Sequence, residues 1–134
     1  MPAKDKYHDT VIRALEKDGW LIESEQYVLI VENRVLWIDL LISDSDKQET
    51  LLVEVKSFTS ASQVEDLANA IGKYFLYSAI LEDNDAKIPL YLAIPETAYH
   101  GIFNEALGQI VMDKLNLSII VYNPELEVIL QWIT

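Results

Sequence analysis

The chain has no cysteine, which excludes disulfide scaffolds, thiolate zinc sites, iron–sulfur ligation and cysteine nucleophiles. The absence also fits a reducing cytoplasm, the compartment expected for it. Histidine is scarce. His8 and His100 lie far apart, neither with a second histidine at ligand spacing, so a histidine-rich metal site is not expected. No apolar run reaches the roughly 18 residues of a bilayer span. The polar start MPAKDKYHD lacks the apolar stretch of a signal peptide, so no membrane association is expected. With four glycines and four prolines there is no Pro- or Gly-rich linker, and no repeat or low-complexity stretch, so residues 1–134 read as a single domain.

Positive charge is also scarce. Ten Lys and Arg stand against 22 Asp and Glu, a net charge of −12. Nucleic-acid binders draw much of their affinity from neutralising phosphates, so this balance opposes a strong free-standing DNA binder. Only the first seventeen residues are net positive, with Lys4, Lys6, Arg13 and Lys17 against Asp5, Asp9 and Glu16.

What is present is core material: 51% of the residues are hydrophobic, and at this length about two-thirds of the unfolded surface can be buried. Tyr7, Val11, Ala14 and Leu15 share one face of a helix over residues 5–18, which Gly19 ends. A strand-like pattern runs from Trp20 to about Ile42, with 28–31 and 35–42 flanking the turn residues Glu32 and Asn33. A polar hairpin loop over 43–49 leads to a strand at 51–55. Val64, Leu67, Ala68, Ile71, Tyr74, Phe75 and Ser78 make an apolar stripe on a long helix over 62–82. A strand at 89–94, a helical stretch from Pro95 to Lys114, and strands at 117–122 and 128–133 complete the chain. The order α-β-β-β-α-β-α-β-β predicts an α/β domain with a central mixed sheet flanked by helices. The tyrosines at 74, 77, 91, 99 and 122 have core-like spacing, without the interleaved basic residues of a base-stacking platform.

One strand carries an anomaly. Residues 35–42 are apolar except for Asp39, and a carboxylate there is costly without a partner. In the next strand Leu52, Glu54 and Lys56 share a face, and a hairpin through 43–49 brings Glu54 beside Asp39. Two carboxylates about 4 Å apart repel by roughly 4 kcal/mol at an effective dielectric near 20. Lys56 or a hard divalent cation is the counter-charge expected. Two carboxylates and the Val55 carbonyl suit Mg²⁺ or Mn²⁺, with Lys56 stabilising charge at a phosphate, as in a metal-dependent nuclease. The plain alternative is a half-exposed strand with Glu54 and Lys56 solvated.

Ile38-Asp39-Leu40 followed by Val53-Glu54-Val55-Lys56 resembles the PD-(D/E)xK motif of restriction-endonuclease-like proteins, with Ile38 in the proline position. That resemblance implies an auxiliary acid in the first helix, where Asp9 stands ten residues before Gly19-Trp20. It also implies a polar contact to phosphate from the following helix, where Gly72-Lys73-Tyr74 places Lys73. Read as a surface residue instead, Asp9 pairs with Arg13, and His8 is a boundary or surface histidine. Gln63 either reaches the site or is a solvated first-turn residue.

MPAKD at 1–5, HD at 8–9, KDGW at 17–20, VEVKSF at 53–58, YLAIP at 91–95 and VILQWI at 128–133 together resemble the XisH family, the fdxN element excision controlling factors of cyanobacteria. The resemblance implies a role in site-specific excision of a DNA element, with DNA and a partner of the XisI type and a recombinase as further partners. It leaves two readings: a nuclease site at Asp39, Glu54, Val55 and Lys56 with Asp9, or an inactive endonuclease fold serving as an interaction module. An open cleft ringed by Lys4, Lys6, Arg34 and Lys73 favours the first, and a plugged cleft the second. A homo-oligomer is compatible with either.

Overall fold

Gly19, at φ 93°, releases the chain from helix α1 (His8–Lys17) into strand β1 (Leu21–Val31), a backbone turn that a side chain would strain. The computed structural model describes residues 3–44, 46 and 48–134. Strands β2 (Arg34–Asp44) and β3 (Glu49–Val55) follow, then the long helix α2 (Gln63–Asp83) and strand β4 (Leu90–Pro95). Helix α3 (Glu96–His100), a 3₁₀ turn (Ile102–Asn104) and helix α4 (Ala106–Lys114) lead to β5 (Ile119–Asn123) and β6 (Val128–Ile133).

The six strands form one sheet in chain order. β1, β2 and β3 pair antiparallel, β3, β4 and β5 parallel, and β6 returns antiparallel at the far edge. This is the mixed α/β sheet expected. Strands β3, β4 and β5 lie inside the sheet and are covered on both faces, which explains their near-continuous apolar runs. One face packs Leu52, Leu92, Ile94 and Val121 under α2. The other packs Val53, Val55, Ala93 and Ile120 against Val11 and Leu15 of α1. Trp132 and Ile133 pair with Ile120 and Ile119 of β5, so the last strand is seated in the sheet.

Four expectations need correction. The helical stretch from Pro95 to Lys114 is broken: Pro95 ends β4, and the chain is interrupted at Gly101 and Glu105. A Cβ on Gly108 would lie 2.1 Å from the Ile102 carbonyl oxygen, so glycine lets α4 press against the backbone of the 3₁₀ turn. The loop expected over 43–49 is shorter, because β2 continues through Asp44 and β3 starts at Glu49; its residues 45 and 47 fall outside the described set, as do Met1 and Pro2. The buried stripe of α2 is Leu67, Ala70, Tyr74, Tyr77 and Leu81, whereas Val64, Ala68 and Phe75 are exposed. Of the five tyrosines, Tyr91 and Tyr99 are only half-buried.

Tyr74 ties α2 to the sheet. Its hydroxyl donates to the Leu90 carbonyl and accepts from the Ser118 N–H, each at 3.2 Å. Tyr74→Phe should therefore lower stability by about 1–2 kcal/mol, since both buried backbone groups lose this partner. Urea unfolding with an unchanged m-value would show it; a change within error would mean that the hydroxyl is idle.

Candidate functional site

The β2–β3 ladder runs to Leu40 and Val53, and the next positions are Asp39 and Glu54. There the side chains take over from the backbone. The Val55 N–H donates to Asp39 Oδ2 at 2.7 Å, and the Asp39 N–H donates to Glu54 Oε1 at 3.2 Å. Each acid is thereby fixed by the other's strand. The Lys56 N–H donates across to Ala93 of β4, so the alternating backbone turns the N–H and carbonyl of Val55 toward β2.

Asp39 and Glu54 line an open cavity of about 270 Å³ with Trp37, Lys73 and Tyr77. Lys73 Nζ lies 3.9 Å from Glu54 Oε2, and Glu54 itself is only 4% exposed. Burial, and then the charge of Asp39, pushes the Glu54 carboxyl up to about 8, while Lys73 pulls the other way. Burial also raises Asp39, opposed by the Val55 N–H and then by His8. Tyr77 is pushed up to about 12 by burial and by the two carboxylates, so its phenol stays neutral. A pair of acids that resists full ionisation, open to solvent on one side, is a site that gains from an added cation.

Across β1, Gln26 lies between the paired residues Glu25 and Tyr27, opposite Asp39, with φ at 60°. A left-handed glutamine inside a strand, opposite the half-buried Asp39, is a strained backbone position beside the site.

The remaining candidates sit elsewhere. Lys56 lies 3.7 Å from Asp66 of α2, which also accepts from the Ser60 N–H and is buried. Asp9 is exposed and 3.7 Å from Lys4, whose ammonium also lies 3.6 Å from Glu25. His8, expected at a boundary or on the surface, is buried at 1% exposure and shares a hydrogen bond of 2.8 Å with Glu25. His8, Asp9 and Glu25 thus bring ligand-type atoms together, with the Lys4 ammonium already beside the two carboxylates. Arg13 does not pair with Asp9; it forks onto Glu127 in the turn before β6, at 2.7–3.0 Å. Gln63 donates to the Phe58 carbonyl and ties down the loop before α2. Of the four basic residues expected around a cleft, Lys73 lines the cavity, Lys4 is drawn to Asp9 and Glu25, Lys6 lies over the Tyr7 ring, and Arg34 borders an apolar depression beside Val35 and Leu76.

Sequence reasoning read Tyr77 as a core residue and gave Asp66 no role at the site. Both carry a readable signal: Asp66, Lys73 and Tyr77 are spaced seven and four residues apart, which puts them on one helical face.

The family model described as XisH protein matches residues 1–130. The crystal structure of an XisH family protein from Nostoc punctiforme PCC 73102 is 31% identical, with a TM-score of 0.86 over 97% of this chain and 100% of that one. The crystal structure of an fdxN element excision controlling factor protein from Anabaena variabilis is also 31% identical, with a TM-score of 0.85 over 96% of this chain and 98% of that one. No curated protein matches the chain.

Proposed function

The chain belongs to the XisH family, and from that premise we propose that it is a controlling factor for excision of a DNA element, with a divalent-metal site for phosphodiester hydrolysis at Asp39 and Glu54. The excision role extends to this chain what is said of the Anabaena variabilis relative. The nuclease reading is supported by an acid on β2, Glu54 and Val55 at the end of β3 with Lys56 directly after it, and a helix on either side, an endonuclease-like order. The observation that carries it is the pair of acids, Glu54 buried and Asp39 half-buried, each held by a backbone N–H of the other's strand in an open cavity with a lysine.

The donor set fits a hard cation. Asp39, Glu54 and the Val55 carbonyl offer only oxygen, the preference of Mg²⁺ and Mn²⁺. When bound, such an ion supplies charge neutralisation at a phosphate and a more acidic water. The protein's own share follows from the geometry. The Val55 N–H holds one oxygen of Asp39 and the Asp39 N–H one oxygen of Glu54, so both carboxylates keep an oxygen for the cation. Lys73 offers a positive charge at the cavity for a phosphate oxygen. Lys56 must leave Asp66 before it serves the same centre.

That last point, with the net charge of −12, favours a second reading: an endonuclease-type fold used as an interaction module. A basic partner of the XisI type, or a recombinase, would then complete the DNA-facing surface.

The deciding experiment incubates the full chain with duplex, single-stranded and branched DNA in Mg²⁺ or Mn²⁺, with and without the partner. Cutting that Asp39→Asn abolishes supports the nuclease. No cutting under any condition, with the partner still bound, leaves the interaction module.

A further inference from the structure

Among the described residues β1 has one ladder, with β2, so it is an edge of the sheet. The β2–β3 ladder begins only at Leu40, so residues 27–31 and 34–38 run on past β3 as a two-stranded arm. We propose that this edge is an interface between two copies of the chain, joined β1 to β1, antiparallel, across a two-fold axis centred on Leu29.

The arm is apolar on both faces. Leu29 and its partner Leu36 pack into the core under α2. The opposite face carries Val28 beside Trp37 and Ile30 beside Val35. There Val28 is 48% and Ile30 61% exposed, Val35 is exposed and Trp37 is half-buried. Folded chains guard an edge strand with charge, proline or a bulge, because its unpaired N–H and C=O groups accept another strand. The first half of β1 has such guards in Glu23, Glu25 and the register shift between Ile22 and Ser24. The second half, Tyr27-Val28-Leu29-Ile30-Val31, has none.

Charge and backbone phase select a second copy as the occupant. Reversed onto itself about Leu29, the segment sets Tyr27 against Val31 and Val28 against Ile30, so all five apolar residues meet apolar residues. The same register sets Glu25 toward Asn33 and Glu32 toward Gln26, an acid opposite an uncharged residue each time. A chain of net charge −12 thus meets itself here with no carboxylate facing a carboxylate. The hydrogen-bonding phase agrees. Val31 and Arg34 close a two-residue turn and point their backbone groups at each other, so by alternation Val28 and Ile30 point theirs outward. Those are the two residues that the register pairs. An antiparallel seam places the two-fold axis perpendicular to the sheet. Both Asp39–Glu54 cavities then lie on one face of the joined sheet, each one strand away from the seam.

The test is sedimentation equilibrium of the full chain from about 1 to 200 µM, where a reversible dimer is expected. Val28→Lys/Ile30→Lys puts lysine opposite lysine at both 28–30 pairs and should weaken the dimer roughly a hundredfold. Because the chain has no cysteine, disulfides read the register independently of that variant. An oxidised mixture of Val28→Cys chains and Ile30→Cys chains should cross-link. Either chain alone should not, because position 28 lies diagonal to its own copy, beyond the roughly 7 Å that a disulfide spans. A chain that stays monomeric up to about 200 µM overturns the proposal and leaves the edge to a strand of another protein. A dimer that the lysine variant leaves intact also overturns it, as does one that cross-links equally well through a single variant alone.

Discussion

Glu54→Gln should make the protein more stable at pH 8 and remove most of the fall in stability that the parent shows between about pH 5 and pH 8. The sign follows from proton linkage. Glu54 has an ordinary value of 4.5 when unfolded and is pushed up to about 8 when folded, so the native state holds its proton more tightly than the unfolded state. Stability is then fully present below the unfolded value and is lost as pH rises toward 8. At about 1.36 kcal/mol per pKa unit, the loss is on the order of 4 to 5 kcal/mol, large against the total stability of a small domain. A glutamine keeps an oxygen to accept from the Asp39 N–H and has no proton to lose. Urea unfolding of parent and variant across this pH range measures the effect. A parent curve that is flat from pH 5 to 8 would show that Glu54 is not held in this way.

The proposed metal site adds a second sign to the same measurement. A divalent cation binds the ionised carboxylates, so its binding competes with the proton and strengthens as pH rises. Mg²⁺ or Mn²⁺ should therefore raise the melting temperature of the parent more at pH 8 than at pH 6, and leave Glu54→Gln little changed. Equal shifts in both proteins would place the cation elsewhere.

The acid pair was legible in the sequence because two independent patterns met there. Asp39 interrupts an otherwise apolar strand, and Glu54 lies on the next strand at a distance that a short hairpin brings alongside. Strand alternation fixes such a pairing with a period of two, and the hydrophobic pattern specifies the register. Helical positions were less legible. Val64, Leu67, Ala68, Ile71, Tyr74, Phe75 and Ser78 have helical spacing, but the face that packs runs through Leu67, Ala70, Tyr74, Tyr77 and Leu81. An apolar residue on α2 is ambiguous because both edges of the stripe, including Phe75 and Leu76, are hydrophobic. Gly108 shows a different limit: its need for a bare Cα comes from the Ile102 and Phe103 backbone, a close approach that no local pattern encodes. His8 likewise reads as a polar residue at a helix start, and only tertiary packing buries it against Glu25.

Lysine choice separates the site that the motif implies from the one that the geometry favours. In the E-x-K pattern Lys56 is the expected catalytic lysine, yet it stands on Asp66, while Lys73 from α2 stands on Glu54. Removing Lys56 leaves the buried Asp66 carboxylate without its cation, and breaking such a pair from one side costs about 3 kcal/mol. Lys56→Met should therefore lower stability by about that much, and Lys56→Met/Asp66→Leu should restore most of it. Lys73 is half-exposed in its pair, so Lys73→Met should change stability little. If the centre cuts DNA, Lys73→Met should slow metal-dependent cleavage about a hundredfold, a typical cost of removing one charge-stabilising group. The double variant should keep its cleavage if Lys56 serves structure alone. Cleavage lost in Lys56→Met/Asp66→Leu but retained in Lys73→Met would return the catalytic role to Lys56. It would then require Lys56 to exchange Asp66 for the acid pair when the cation and DNA arrive.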